Sequence, residues 1–204
     1  MFAVDTAYVL KKLILLLFPF AQKDWLTKYN SAEPVAPRDD INVPDLYIPS
    51  MAFVTYVLLA SYLLGLQSLF TPEKLGIQAS FALFWLLFEV FCSIVCLHLF
   101  GVQSVLGFFN LLSYCSYKFV FMIFCLLAGV LFNTAGYWAV LAYCSLALGY
   151  FLVRSLNVAI QTSGGQHQQV TAQPKSAMYL VLGLSLLQPL LMYIMTRHLI
   201  YSAV

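Results

Sequence analysis

Apolar residues along this chain fall in five long blocks, not at the alternating spacing of a half-buried strand. A helix needs about 20 residues, at about 1.5 Å of rise each, to cross roughly 30 Å of hydrocarbon. On that measure the blocks predict five transmembrane helices, over residues 48–69, 75–100, 110–132, 136–156 and 177–199. The third block begins earlier, at Val105, and Gly107 and Asn110 interrupt its first residues, which suits an interfacial turn. The expected fold class is therefore all-α, a polytopic membrane protein, with the bundle in residues 47–204 and a distinct segment in 1–46.

The N-terminal segment has a different pattern. Asp5 to Phe20 suits a short amphipathic or interfacial helix, with Lys11 and Lys12 near the headgroups and Leu13, Ile14, Leu16, Leu17 and Phe18 below them. The same stretch also suits a helix packed on the end of the bundle. Pro34, Pro37, Pro44 and Pro49 then favour an extended linker, because proline removes a backbone donor and disfavours helix in the residue before it. Between the fourth and fifth blocks, residues 157–176 form a polar connector that contains Ser163-Gly164-Gly165 and His167. A solvated loop histidine is the reading preferred for His167 over a metal ligand.

Composition agrees with a bilayer setting. The chain is 62% hydrophobic and 9% charged, against roughly 25% charged residues in soluble domains. Too few charges remain to cover a water-facing surface of this size. A net charge of +2 gives no case for nucleic acid. Basic residues set the orientation instead. Five crossings put Lys11, Lys12, Lys23, Lys28, Arg38, Arg154 and Lys175 on one side, and Lys74 and Arg197 on the other. The excess of positive charge places the N-terminus in the cytosol and the C-terminus in the lumen or outside.

Two charges interrupt the blocks, Glu89 and Lys118. Each isolated membrane charge costs roughly 2.5–3.5 kcal/mol on insertion scales. Counted from the same side, Glu89 lies about 16 Å deep and Lys118 about 12–20 Å deep. They are expected to pair as a structural clamp. A proton or ion relay, and snorkelling of Lys118 to the interface, are the competing readings. Small residues four apart, Ser61 with Gly65 and Ser145 with Gly149, suit close helix approach, and Pro189 suits a kink.

The five cysteines all lie in apolar blocks, with no histidine or carboxylate set to complete a metal site. They are expected to pack as small hydrophobes. No nucleophile elbow, metalloprotease or phosphate-loop pattern occurs. Neither an enzyme nor a cofactor is expected. Without further information the residues leave two functions open: an adaptor working through protein partners, and a transporter, channel or lipid-handling protein.

A resemblance narrows that choice. Asn42-Val43-Pro44-Asp45-Leu46-Tyr47-Ile48-Pro49, just before the first span, resembles the Asp-Leu-Tyr-x-Pro motif of the Yip superfamily, in the form found in its Yip-interacting-factor branch. Phe2 to Val9, Met51 to Val57, Leu75 to Ser80, Tyr117-Lys118 and Gln188 to Tyr193 fit the same branch. Nearly the whole chain is covered. Two features depart from the pattern. Ser116 stands where the family often has glycine before Tyr-Lys. The longer polar extension that usually precedes the Phe-Ala-Val-Asp stretch is not present, so the chain is either a short form or a piece.

The resemblance implies a five-span resident of endoplasmic reticulum and Golgi membranes, the intermediate compartment and transport vesicles. It implies a Yip-type membrane partner, prenylated Rab GTPases as further partners and a role in vesicle transport. Asp39, Asp40 and Asp45 beside Leu46, Tyr47 and Pro49 then become candidates for a partner-binding surface at the membrane. The plainer alternative is that Asp45 caps the first span.

Overall fold

The structure is a computed structural model, and it describes residues 5–22, 25, 40–99, 107–163 and 175–201. Every regular element among them is helical: α1 (Thr6–Leu17), a 3-10 turn (Pro19–Ala21), α2 (Tyr47–Leu66), α3 (Pro72–Leu99), α4 (Phe108–Ser116), α5 (Lys118–Ser163) and α6 (Lys175–Tyr201).

The ends of these helices follow from local chemistry. The Asp5 carboxylate accepts from the Thr6 N–H at 2.8 Å at the start of α1. Pro19, which cannot extend a helix, follows its end. α2 closes with a pair of reversed bonds, Ser68 N–H to Gly65 O at 3.0 Å and Leu69 N–H to Leu64 O at 2.9 Å. Ser68 sits at φ 56° in the place usually taken by glycine. α3 opens with Pro72, and the Thr71 hydroxyl accepts from the Lys74 N–H at 3.2 Å.

α5 is two helices joined by a reversal at Asn133 (φ 59°, ψ −163°). A Cβ built on Gly136 would lie 3.1 Å from the carbonyl oxygen of Ala128, whereas eight residues of straight helix would separate them by about 12 Å. The two arms are therefore antiparallel, and the Cys125 and Cys144 thiols lie near each other across them. α6 runs antiparallel to the second arm. Ser185 donates to Gly149 O at 3.2 Å, Trp138 and Tyr193 lie 5.4 Å apart between ring centroids, and Tyr137 and Thr196 share a 2.7 Å hydrogen bond.

Three stretches are long and apolar enough to cross a membrane by length and composition: Tyr47–Leu66, Pro72–Leu99 and Phe108–Ala159. The third contains the Asn133 reversal, and α6 adds a further long helix. The five expected crossings are thus met in outline. Their outer faces carry side chains such as Leu58, Leu131 and Leu186, at 61%, 72% and 75% exposure. Acyl chains suit such faces and water does not.

Several boundaries differ from the expected ones. α2 ends at Leu66 because of the Ser68 turn, short of residue 69. α3 starts at Pro72, ahead of residue 75. Asn110 lies inside α4, not in an interfacial turn. α5 continues past residue 156 to Ser163, so the first part of the expected 157–176 connector is helical. Gly149 makes the expected close approach, with Ser185 Oγ 2.9 Å from a Cβ built there, but Gly65 faces open space.

Candidate functional site

The Asp-Leu-Tyr-x-Pro segment is where the N-terminal region joins the bundle. Asp45 is fully buried. Its Oδ1 accepts from the Ile48 N–H at 2.8 Å, which satisfies one of the orphan donors of the first turn of α2. Its Oδ2 accepts from the Tyr117 phenol at 2.6 Å and the Tyr8 phenol at 3.3 Å. The Asp45 backbone also takes part: its N–H donates to the Tyr117 oxygen at 3.3 Å, and its carbonyl accepts from the Ser113 hydroxyl. One residue thus ties together α1, α2, α4 and Tyr117, the link between α4 and α5. Pro49 stands in the first turn of α2, where its missing N–H costs no helical bond.

Lys12 completes this seam. It projects from α1 into the bundle, 1% exposed. Its ammonium donates to Ile41 O and, at 3.2 Å, to Val43 O. It also lies 5.7 Å from the Tyr117 ring centroid and 5.9 Å from that of Phe151. Burial pushes Lys12 down to about 8, against the opposing influence of Asp45 and Asp40. Burial, followed by the proximity of Asp45, raises the Tyr8 phenol above its ordinary range.

These positions correct two expectations. Lys12 does not reach toward headgroups: the helical period turns it to the same face as Tyr8, Leu15 and Leu16, against the bundle, while Lys11 is exposed. Nor is the acidic group a displayed surface. Asp45 is fully buried and Asp40 is 8% exposed, with the Asp40 Oδ1 accepting from the Asn42 N–H at 2.9 Å in a local turn. Of the proposed docking residues, Pro49 is buried, Leu46 and Tyr47 are half-buried, and Asp39 lies outside the described residues, as does His167.

A second polar node lies within the spans. Lys118 donates to Glu89 Oε2, and Gln188 donates to Glu89 Oε1. Glu89 is 2% exposed, Lys118 fully buried and Gln188 1% exposed. The node therefore ties α3, α5 and α6. Ser93 Oγ bonds back to the Glu89 carbonyl at 2.7 Å, and Cys115 lies near the Glu89 carboxylate. Among the described residues, no group of three metal-ligating side chains occurs.

A third node was not legible in advance. Tyr56 donates to Met195 O at 2.9 Å and receives Gln78 Nε2 at 2.5 Å, while His198 contacts Gln78 Oε1 at 2.9 Å. The available signal was the presence of Tyr56 and Gln78 inside apolar spans, where a polar group must find a partner.

Together the long apolar helices, their exposed aliphatic faces and the polar ties buried between them define a polytopic helical membrane protein. A family model described as YIF1 matches residues 1–196. The chain is 44% identical to protein YIF1A of Danio rerio over 98% of its own length and 66% of the relative's, and 48% identical to YIF1A of Mus musculus over 98% and 68%. It is 32% identical to the protein transport protein yif1 of Schizosaccharomyces pombe, over 96% of this chain and 70% of that one. The chain belongs to the YIF1 family. It spans about two thirds of the length of the curated relatives it matches. No solved structure matches it.

Proposed function

We propose that this chain is a membrane adaptor in vesicle transport between endoplasmic reticulum and Golgi, working with a Yip-type membrane partner and prenylated Rab GTPases. Membership of the family, and the name of the Schizosaccharomyces pombe relative, a protein transport protein, support a transport role. The carrying observation in the structure is the Glu89 node. The Lys118 ammonium and the Gln188 amide both donate to the Glu89 carboxylate, across three helices, as a tie between spans does. A conduit needs polar groups free to handle a passing solute. In this reading the bundle anchors and binds partners, and the chain catalyses nothing itself.

The N-terminal side carries most of the basic residues and is assigned to the cytosol, with the C-terminus in the lumen. With Asp40 and Asp45 turned inward, the accessible part of the docking motif is the half-buried edge of Leu46 and Tyr47. Asp45 acts there as the anchor that holds this edge, not as a contact.

Purification of the chain from cells in mild detergent, with identification of what remains bound, tests the proposal. Recovery of a Yip-type membrane protein together with Rab GTPases is the expected result. A monodisperse, partner-free protein that moves solute or lipid in liposomes would overturn it in favour of a transporter.

A further inference from the structure

α1 carries a second apolar face that the bundle does not cover. Leu10, Ile14 and Phe18 recur at helical spacing on the side opposite Lys12, and with Phe20 they are 54–61% exposed. What covers this stripe depends on how deep α1 sits, and contacts with the second arm of α5 set that depth.

The Tyr143 phenol donates to the Leu17 carbonyl at 2.6 Å, and the Phe18 and Tyr143 rings lie 6.4 Å apart. Tyr143 stands about 16 Å along the helix from Arg154, the last charged residue of α5, and about 15 Å from the Asn133 reversal at the other end. With a hydrocarbon layer of roughly 30 Å, that is near the middle of the bilayer. The other contacts lie higher. The Lys12 ammonium is 5.9 Å from the Phe151 ring. Beyond Pro19, Phe20 meets Tyr150 at 4.9 Å, and Trp25 meets Tyr150 and Phe151 at 6.1 and 6.0 Å. The chain therefore descends along α5 from Lys12 to Leu17, turns at Phe18-Pro19 and climbs back to Trp25.

A turn at that depth needs most of its backbone polar groups satisfied by protein. Here the Phe18 N–H bonds Ile14 O at 2.8 Å, the Ala21 N–H bonds Phe18 O at 3.3 Å and the Gln22 N–H bonds Pro19 O at 3.4 Å. The Leu17 carbonyl is taken by Tyr143, and Gln22 O accepts from the Trp25 indole at 3.0 Å. Pro19 brings no N–H to satisfy.

We propose that α1 and the Pro19 turn form a re-entrant hairpin that enters one leaflet of the bilayer beside α5, with Leu10, Ile14, Phe18 and Phe20 against its acyl chains. The occupant follows from continuity. The stripe meets the face of α5 that carries Tyr143 and Leu146, 39% and 69% exposed and at the same depth. A helix lying flat among the headgroups would hold its two ends at one level, and this one does not.

Depth-resolved quenching tests the proposal on the full chain in lipid nanodiscs. The five native cysteines are replaced by alanine, and a single environment-sensitive fluorophore is placed by Phe18→Cys or Lys11→Cys. Quenchers are carried deep on the acyl chain, on the headgroup, or in water as iodide. The Phe18 site is expected to be quenched several-fold more by the deep lipid label than by the headgroup label, with iodide ineffective, while the Lys11 site, up to about 10 Å higher, is quenched more by the headgroup label than by the deep one. Stronger quenching of the Phe18 site by the headgroup label or by iodide would place the hairpin in the interface and overturn the proposal. Quenching by none of the three would show a protein cover and overturn it equally. If the cysteine-free background is not monodisperse, amide exchange of the native chain in nanodiscs decides. Amides of residues 15–18 should be as protected as those of the second arm of α5, and exchange at the rate of a surface helix refutes the hairpin.

Discussion

The Tyr117 phenol donates to Asp45 Oδ2 at 2.6 Å and accepts from the Asp45 N–H at 3.3 Å, a double tie between residues 72 positions apart. The motif before α2 is thus a joint before it is a surface. Tyr117→Phe should leave Asp45 short of its best donor in a dry site, a loss of roughly 1–3 kcal/mol. Asp45→Asn should cost as much or more, because it also weakens the cap on α2 and the bond from Tyr8. The double variant should lose less than the sum of the two, since both remove one interaction. Thermal unfolding of the three variants in detergent measures this, and strict additivity would show that the two residues act separately.

The neighbour of Tyr117 faces a different partner. Lys118 and Glu89 neutralise each other in a site from which water is excluded. Breaking a buried pair leaves one uncompensated charge, at a cost of roughly 3–5 kcal/mol. Glu89→Gln and Lys118→Met should each reduce the yield of monodisperse protein sharply. The double variant Glu89→Gln with Lys118→Met, which keeps an acceptor for Gln188, should recover most of it. A double variant no better than the singles would mean that the charges serve something other than packing.

The two nodes also show what a sequence can disclose. Glu89 and Lys118 were visible because a charge in an apolar block stands out and helix counting gives its depth. The Asp45 tie was visible only as one of two alternatives, since the linker has no periodicity to say which way a side chain turns. Lys12 was misplaced for a related reason. A lysine on an amphipathic helix ordinarily marks the wet face, and only the tertiary placement of α1 reveals carbonyls of the linker, Ile41 and Val43, waiting on the other side. The network of Tyr56, Gln78 and His198 depends on which faces of α2, α3 and α6 meet, and no spacing along the chain encodes that.

The buried ammonium of Lys12 has a pH consequence. Its folded value of about 8 lies below the ordinary 10.5. Between those values the unfolded chain binds more protons than the folded one, so stability should rise as pH increases from about 8. Asp40, Asp45, Tyr8 and Tyr117 face the same group. Tyr8, whose folded value is raised, works in the opposite sense once free tyrosine ionises near 10. Free cysteine also ionises in this range, near 8.5, so the contribution of Lys12 is read as a difference between two proteins over about pH 8 to 9.5. The slope of melting temperature against pH in detergent should be more positive in the native chain than in Lys12→Met. An equal slope in both proteins would assign it to other groups.

The reversal within α5 supplies the last prediction. Asn133 holds φ 59° and ψ −163°, a region that side chains other than glycine occupy only with strain. Glycine carries no Cβ and should relieve it, so Asn133→Gly is expected to stabilise the fold by about 1 kcal/mol. Asn133→Val adds β-branching at a positive φ and should destabilise by at least as much. Gly136 beside it behaves in the opposite way. A Cβ there would meet Phe132 Cβ at 2.3 Å and the Ala128 carbonyl oxygen at 3.1 Å, and a backbone oxygen in the bend cannot swing aside as a side-chain tip can. Gly136→Ala should therefore open the turn and separate the Cys125 and Cys144 thiols. Thermal unfolding orders the three variants, with Asn133→Gly above the native chain and the other two below it. If Asn133→Gly and Asn133→Val melt alike, the hairpin does not depend on the conformation of that residue.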